Sequence, residues 1–182
     1  MKQNIVVLCE DKTTATFIRR FLHTFSNITR HNIREVPFPS GSGSGEQWVR
    51  EIFPNELENA RKYSTKLIVS TDADTLSVDD RMKTLDKECQ QKGFAARKTT
   101  ETIAILIPKR AIETWIECLC GTSVNEEQKY PHYESCRDKC ETAAKEFKRH
   151  YAASRQTPPS VLPASFPPSL FRAFAEINRL LL

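Results

Sequence analysis

Lys66-Leu67-Ile68-Val69-Ser70-Thr71-Asp72-Ala73-Asp74-Thr75 joins an uninterrupted apolar run to a turn that carries two carboxylates. Leu67, Ile68 and Val69 do not alternate with polar residues. A strand covered on both faces reads this way, because neither side of the pleat meets water. Two other stretches repeat the pattern, Ile5–Leu8 and Ile103–Ile107. A weaker candidate, Ile33–Phe38, mixes Ile33, Val36 and Phe38 with charge.

Helical patterns separate these runs. Phe17, Ile18, Phe21, Leu22 and Phe25 form one apolar face, with Thr13 or Thr14 as the expected cap. Trp48, Val49, Ile52 and Phe53 form a second face, expected to break at Pro54. Ser77 precedes a third helix with Asp79 and Asp80 in its first turn, where the helix dipole favours anions; Val78, Met82, Leu85 and Cys89 are its expected core face. Ala111–Cys120 reads as a helix stopped by Gly121. His132–Tyr151 reads as a long polar helix, Thr157–Pro168 as a proline-rich extended segment, and Ser169–Leu182 as a short amphipathic helix. Strand and helix alternate four times, which predicts an α/β fold. Its centre is a Rossmann-like, mostly parallel four-stranded sheet with helices on both faces, followed by a helical C-terminal extension. The expected division is a core at 1–121 and an extension at 122–182 packed on it.

The chain has 182 residues, 39% of them hydrophobic, and a net charge of +4. That length suits one domain able to bury a core without disulfide staples. No apolar run approaches the roughly 20 residues that span a bilayer, and Ile5–Cys9 is too short for a signal-peptide core. The expected location is the cytoplasm, with no membrane partner. The mild positive charge permits an acidic partner without demanding one, and the sequence leaves a homo-oligomer open.

The chemistry lies at the end of each strand. Glu10-Asp11 ends the first, Asp72-x-Asp74 the third, and Pro108-Lys109-Arg110 the last, with Glu113 in the next helical turn. In a parallel sheet these ends share one rim, where ligands bind. Taken singly, each acid has an ordinary explanation as turn residue, cap or helix-start charge. Together they predict a site for a hard divalent cation, Mg²⁺ or Mn²⁺, held by Glu10, Asp72, Asp74 and Glu113. Such an ion polarises a phosphodiester. Glu10 is the candidate general acid or base, and Lys109 and Arg110 the candidate catalytic groups for phosphate. Asp11 reads as a neighbouring acid. Lys12, Lys148 and Arg149 are the candidate nucleic-acid contacts, the last two within the basic stretch Lys145, Lys148, Arg149, His150.

A hydrophobic strand ending in Glu10, then Asp72-x-Asp74 after another, resembles the TOPRIM domain. Ile107-Pro108-Lys109-Arg110-Ala111-Ile112-Glu113-Thr114-Trp115 is most similar to its OLD-type nuclease branch. The resemblance covers about residues 4–120. It implies a metal-dependent nuclease in which Glu10 serves as ligand or acid/base, Asp72 and Asp74 hold Mg²⁺, and Glu113 completes a two-metal site. It also implies a role in anti-phage defence beside an ABC-type ATPase. No Walker A lysine motif occurs here, so that partner is expected as a separate polypeptide. The sequence departs from the family in having Asp11 where glycine often comes after the first acid, and Thr14 where OLD-type members place a second one. Two alternatives stand beside the nuclease. Asp72-Ala73-Asp74-Thr75 superficially resembles the nucleophile loop of haloacid-dehalogenase-like phosphatases, and a TOPRIM-like module can bind nucleic acid or a partner without cutting.

Other signals are weaker. Ser40–Gly45 alternates serine with glycine but lacks the spacing of a phosphate loop. The histidines show no ligand pairing. Cys118, Cys120, Cys136 and Cys140 admit a four-thiolate zinc site, although plain helical thiols explain them as well. Trp48 and Trp115 occupy core-like positions.

Overall fold

The computed structural model describes residues 4–39, 45–131, 137–155 and 162–180. Four strands, β1 (Ile5–Cys9), β2 (Ile33–Glu35), β3 (Lys66–Ser70) and β4 (Ile103–Leu106), form one sheet in the order β2-β1-β3-β4. Every pairing is parallel. Helices α1 (Lys12–Leu22), α2 (Glu46–Tyr63) and α3 (Val78–Gln91) make the three crossovers; α4 (Ile112–Leu119), α5 (Arg137–Ser154) and α6 (Pro168–Asn178) come after β4.

The unbroken apolar runs have a direct cause. Successive side chains of a strand point to opposite faces, and both faces here are covered. Ile5, Val7, Cys9, Ile68, Ala104 and Leu106 join a core with α1, α4, α5 and α6. Val6, Leu8, Leu67, Val69, Ile103 and Ile105 join a second core with α2 and α3. The weak strand proves to be three residues at the sheet edge, half-buried at Ile33 and Glu35, which is why its pattern is mixed.

The C-terminal helices are built into the first core. Phe147 of α5 meets Phe17 and Phe21 edge-on at 5.7 and 4.9 Å and stacks on Phe174 of α6 at 4.5 Å. Each buried phenyl contributes roughly 1.5–3 kcal/mol by leaving water. α6 also covers the free edge of β4. Glu176 accepts a hydrogen bond from the Ile105 N–H at 2.9 Å and pairs with Arg97, whose guanidinium also donates to the Ile103 carbonyl at 3.0 Å. A side-chain pair thus supplies the partners that a fifth strand would, and the edge is closed to further pairing.

Three local expectations are corrected. Asp11, not a threonine, caps α1: its carboxylate accepts from the Thr14 N–H and the Thr14 hydroxyl, both at 2.8 Å. α2 runs through Pro54 rather than ending there; Val49, Phe53, Leu57 and Ala60 keep one buried face on either side of it. That burial offsets the roughly 3 kcal/mol cost of an interior proline. On α3 it is Arg81 that joins Leu85 and Cys89 on the buried face, with Val78 and Met82 packed at its margin. The remaining boundaries shift by a few residues: α4 and α6 are close to expectation, and α5 extends to Ser154. Trp115 is wholly buried and donates from its indole N–H to the Ser169 hydroxyl at 2.8 Å. Most of the Ser40–Gly45 loop, His132, Cys136 and the start of the proline-rich segment lie outside the described residues. The four-thiolate set is therefore not described as a whole; Cys9, Cys89 and Cys118 are buried free thiols. No helix among the described residues is long and apolar enough to cross a membrane.

Candidate active site at the switch point of the sheet

The strand order places a topological switch between β1 and β3. The chain leaves β1 toward β2 on one side, and β3 begins the progression toward β4 on the other. At such a point the two connections diverge and leave a crevice beyond the strand ends. Cys9 and Ser70 are the last paired residues of β1 and β3, so Glu10 and Thr71-Asp72 come next, side by side over that crevice.

Their side chains interlock. A Glu10 carboxylate oxygen accepts from the Thr71 hydroxyl at 2.8 Å and from the Asp72 N–H at 3.1 Å. The Glu10 and Asp72 carboxyls also share a hydrogen bond. Burial, reinforced by Glu10 and then by Asp11 and Asp74, pushes the Asp72 carboxyl up to about 10. Burial also raises Glu10, against the donors from Thr71 and Asp72 that favour its charged form. The pair therefore holds a proton at neutral pH, because two adjacent, half-buried carboxylates cannot both ionise readily without a compensating charge.

Backbone contacts set this geometry. Beyond the regular ladder, the Thr71 N–H donates to the Leu106 carbonyl at 3.2 Å and the Ala73 N–H to the Pro108 carbonyl at 2.8 Å. The acidic turn is thereby tied to the segment that carries Lys109 and Arg110. From the other side Arg81 donates to the carbonyls of Asp72 and Ala73 at 2.9 and 3.3 Å, and pairs with Glu46 at 2.6 Å. Asp74 occupies the left-handed region at φ 55°, a conformation aspartate tolerates better than most residues.

Sequence reasoning predicted a four-acid cage, and only part of it assembles. Glu10 and Asp72 touch. Asp74 is near enough to act on Asp72 through its charge, but its carboxylate is half-exposed and lies 4.0 Å from the Lys129 ammonium. Glu113 is 4% exposed in the first turn of α4. Among the described residues no three acids, histidines or cysteines gather closely enough to share an ion. Asp74 and Glu113 thus do not complete a three-ligand set with the pair.

The cations also differ from expectation. Lys109 donates to the Leu76 carbonyl at 2.8 Å, so it braces the acidic turn. Arg110 has a buried Nε with no hydrogen-bond partner among the described residues, 3.9 Å from Glu127. Glu127 lies 3.6 Å from Lys109 as well, so the segment before α5 folds over this rim. Lys12 is exposed at the start of α1. Lys148 lines a cavity between α1 and α5, whereas Arg149 lines a different one beside Cys118 and Cys120 and pairs with Glu146.

Thr71, Arg81, Glu127 and Lys129 escaped sequence reasoning. For Arg81 a signal existed: it stands four residues before Leu85 and eight before Cys89, on one helical face. An arginine there is buried only if its charge has a purpose. Glu127 and Lys129 come from a segment with no pattern of its own. The chain matches no protein-family model, no curated protein and no solved structure, so the pair at the switch point stands on its geometry alone.

Proposed function

We propose that this protein is a Mg²⁺- or Mn²⁺-dependent nuclease that hydrolyses phosphodiesters at the Glu10–Asp72 pair. The observation that carries this reading is the half-buried carboxyl pair interlocked at the switch point, which shares one proton. A hard divalent cation is the natural replacement for that proton. Mg²⁺ in phosphoryl-transfer sites is commonly held by one or two carboxylates, with waters and substrate oxygens as its other ligands. The donor set fits that arrangement without a third acid.

Glu10 and Asp72 would hold the ion, which when bound supplies the charge that polarises a phosphodiester and activates water. The residues of the chain do the rest. Thr71 and the Asp72 N–H fix the Glu10 carboxylate beside the Asp72 carboxyl. Arg81 and Lys109 lock the acidic turn from either side. The Arg110 Nε is the donor best suited to a phosphate oxygen, because its desolvation is already met and a charge-assisted bond to phosphate would satisfy it. Asp74, half-exposed at the turn, lies at the mouth 4.0 Å from the Lys129 ammonium.

The resemblance to the OLD-type branch adds an ABC-type ATPase as a separately encoded partner and anti-phage defence as the setting. Co-purification of such an ATPase with the tagged chain tests the partner. The phosphatase alternative is weaker, because Thr75 stands one place early for that nucleophile loop and the loop comes after the third strand rather than near the start of the chain. A non-catalytic module draws support from the incomplete acid set. Labelled DNA and RNA strands incubated with Mg²⁺ or Mn²⁺ separate these readings. Wild type is expected to cut and Asp72→Ala to be inactive. Cutting that survives in both Asp72→Ala and Glu10→Gln ends the site assignment, and strand binding without cutting in wild type selects the module.

A further inference from the structure

Three concavities run together down the outer face of α1. The first, about 340 Å³, opens beside the start of the helix and is lined by Lys12, Arg19 and Phe38 among others. The second, about 260 Å³, shares Arg19 and Glu35 with the first and adds His23 and Arg30. The third, about 380 Å³, shares His23 with the second and lies between α1 and α5, where Arg20, Lys145 and Lys148 meet Glu141. Helical spacing explains the continuity: Lys12, Thr16, Arg19 and His23 recur at intervals of four, three and four residues and stack on one face.

The charge along this path is far from average. Among the described residues six cations line it, Lys12, Arg19, Arg20, Arg30, Lys145 and Lys148, against the two carboxylates Glu35 and Glu141. The surplus of four equals the formal net charge of the entire chain, so the formal charges of all other residues sum to zero. The two acids orient the cations without cancelling them. Glu35 accepts from Arg19 at 2.7 Å, and Glu141 lies 3.0 Å from Lys145 and 3.8 Å from Arg20. Lys148 is held by the Thr24 carbonyl and over the Phe25 ring, 4.7 Å from its centre. Ion pairs this exposed are weak, and an incoming phosphate competes with them readily.

We infer that this groove carries a single-stranded segment of the nucleic-acid substrate, its phosphates led by the six cations from the Glu10–Asp72 pair toward the cleft between α1 and α5. The inference rests on the nuclease reading for its direction and goes beyond it in naming the strand form and its path. Lys12 is two residues from Glu10, and the eleven residue steps from Lys12 to His23 rise about 16 Å along the helix. That length accommodates a site of about four nucleotides, the lower end for strand-tracking grooves. The path turns at His23 from the β2 side of α1 to the α5 side. A flexible strand takes that turn, whereas a rigid duplex does not. At the upper end Phe38, half-buried and 5.7 Å from Trp48, offers the aromatic surface on which an unpaired base stacks.

The test measures binding in EDTA, where no cutting occurs, by anisotropy of a labelled 12-nucleotide single strand at several salt concentrations. Arg30→Glu with Lys145→Glu alters two exposed groove cations remote from the acid pair. Lys83→Glu with Lys87→Glu makes the same charge change on the exposed face of α3. The groove variant is expected to bind at least tenfold more weakly, with a salt slope shallower by about 1.4, the value for two lost single-strand phosphate contacts. The milder pair Arg30→Gln with Lys145→Gln should weaken binding in the same direction, and the α3 variant should bind like wild type. Equal loss in the groove and α3 variants, a tenfold preference for duplex, or no single-strand binding by wild type overturns the inference. Strand binding by wild type that is lost in the groove variant upholds it even if Mg²⁺ produces no cleavage; that combination refutes the nuclease reading alone.

Discussion

Replacing Asp72 by asparagine should make the metal-free protein more stable, and the gain should depend on pH. In the native state the Asp72 carboxyl is pushed up to about 10 by burial and by Glu10, from an ordinary 3.8. In the unfolded chain it ionises near the ordinary value. Between those limits the native state binds more protons than the unfolded state, so stability falls as pH rises through that window; below pH 4 the two states are alike and no penalty exists. Each pH unit inside the window costs up to about 1.4 kcal/mol. From pH 5 to pH 8 the ceiling is therefore about 4 kcal/mol, and solvent at the rim reduces it to about 2 kcal/mol. Asparagine does not titrate, and its amide donates to Glu10 as the protonated acid does. At roughly 2–4 °C per kcal/mol for a chain of this size, Asp72→Asn should melt about 4–8 °C above wild type at pH 8 in EDTA and much closer to it at pH 5. Calorimetry at the two pH values gives the answer. A variant that melts below wild type at pH 8, or whose advantage is the same at both pH values, would refute the shared-proton description.

The same pair predicts the response to metal. Mg²⁺ at 100 times its dissociation constant should stabilise wild type by about 2.7 kcal/mol, read as a rise in melting temperature, and leave Asp72→Asn almost unmoved. Arg81→Ala removes the guanidinium that holds the carbonyls of Asp72 and Ala73; loss of a buried, hydrogen-bonded charge should cost about 3 kcal/mol, measured by urea unfolding, and strand cleavage should fall with it. Arg110→Ala should leave stability within about 1 kcal/mol of wild type while lowering kcat/KM for strand cleavage about 100-fold, the scale of one lost charge-stabilising donor; an unchanged kcat/KM would remove Arg110 from the site. Glu176→Ala uncovers the Ile105 N–H and strands Arg97. It should cost about 3 kcal/mol and promote association through the β4 edge, visible as a concentration-dependent sedimentation coefficient.

The range of the forces involved explains how much of the fold and site was legible in the sequence. The three apolar runs and the helical faces between them announced a parallel sheet covered on both sides, because strand periodicity and burial are imprinted residue by residue. The acids after β1 and β3 were legible for the same reason, since a residue that ends a buried strand has its place set by that strand. Asp11 was visible as an acid, yet its role as the cap of α1 depended on which oxygen met the Thr14 N–H. Pro54 looked like a stop because the rule for proline is local, whereas the buried face that carries α2 past it is not.

What tertiary structure alone decided is which acids meet. Sequence determined that Glu10, Asp72, Asp74 and Glu113 stand near strand or helix ends on one rim; it contains no measure of the few ångströms by which side chains on that rim do or do not touch. The order β2-β1-β3-β4 put β1 beside β3, and with it Glu10 beside Asp72. Asp74 turned outward at its left-handed turn, and Glu113 was buried in the first turn of α4. Arg81, distant from Glu46 in the chain, became the tie that holds the acidic turn. Contacts between residues far apart in sequence arise only when the sheet closes, and a carboxyl pair that shares a proton is such a contact.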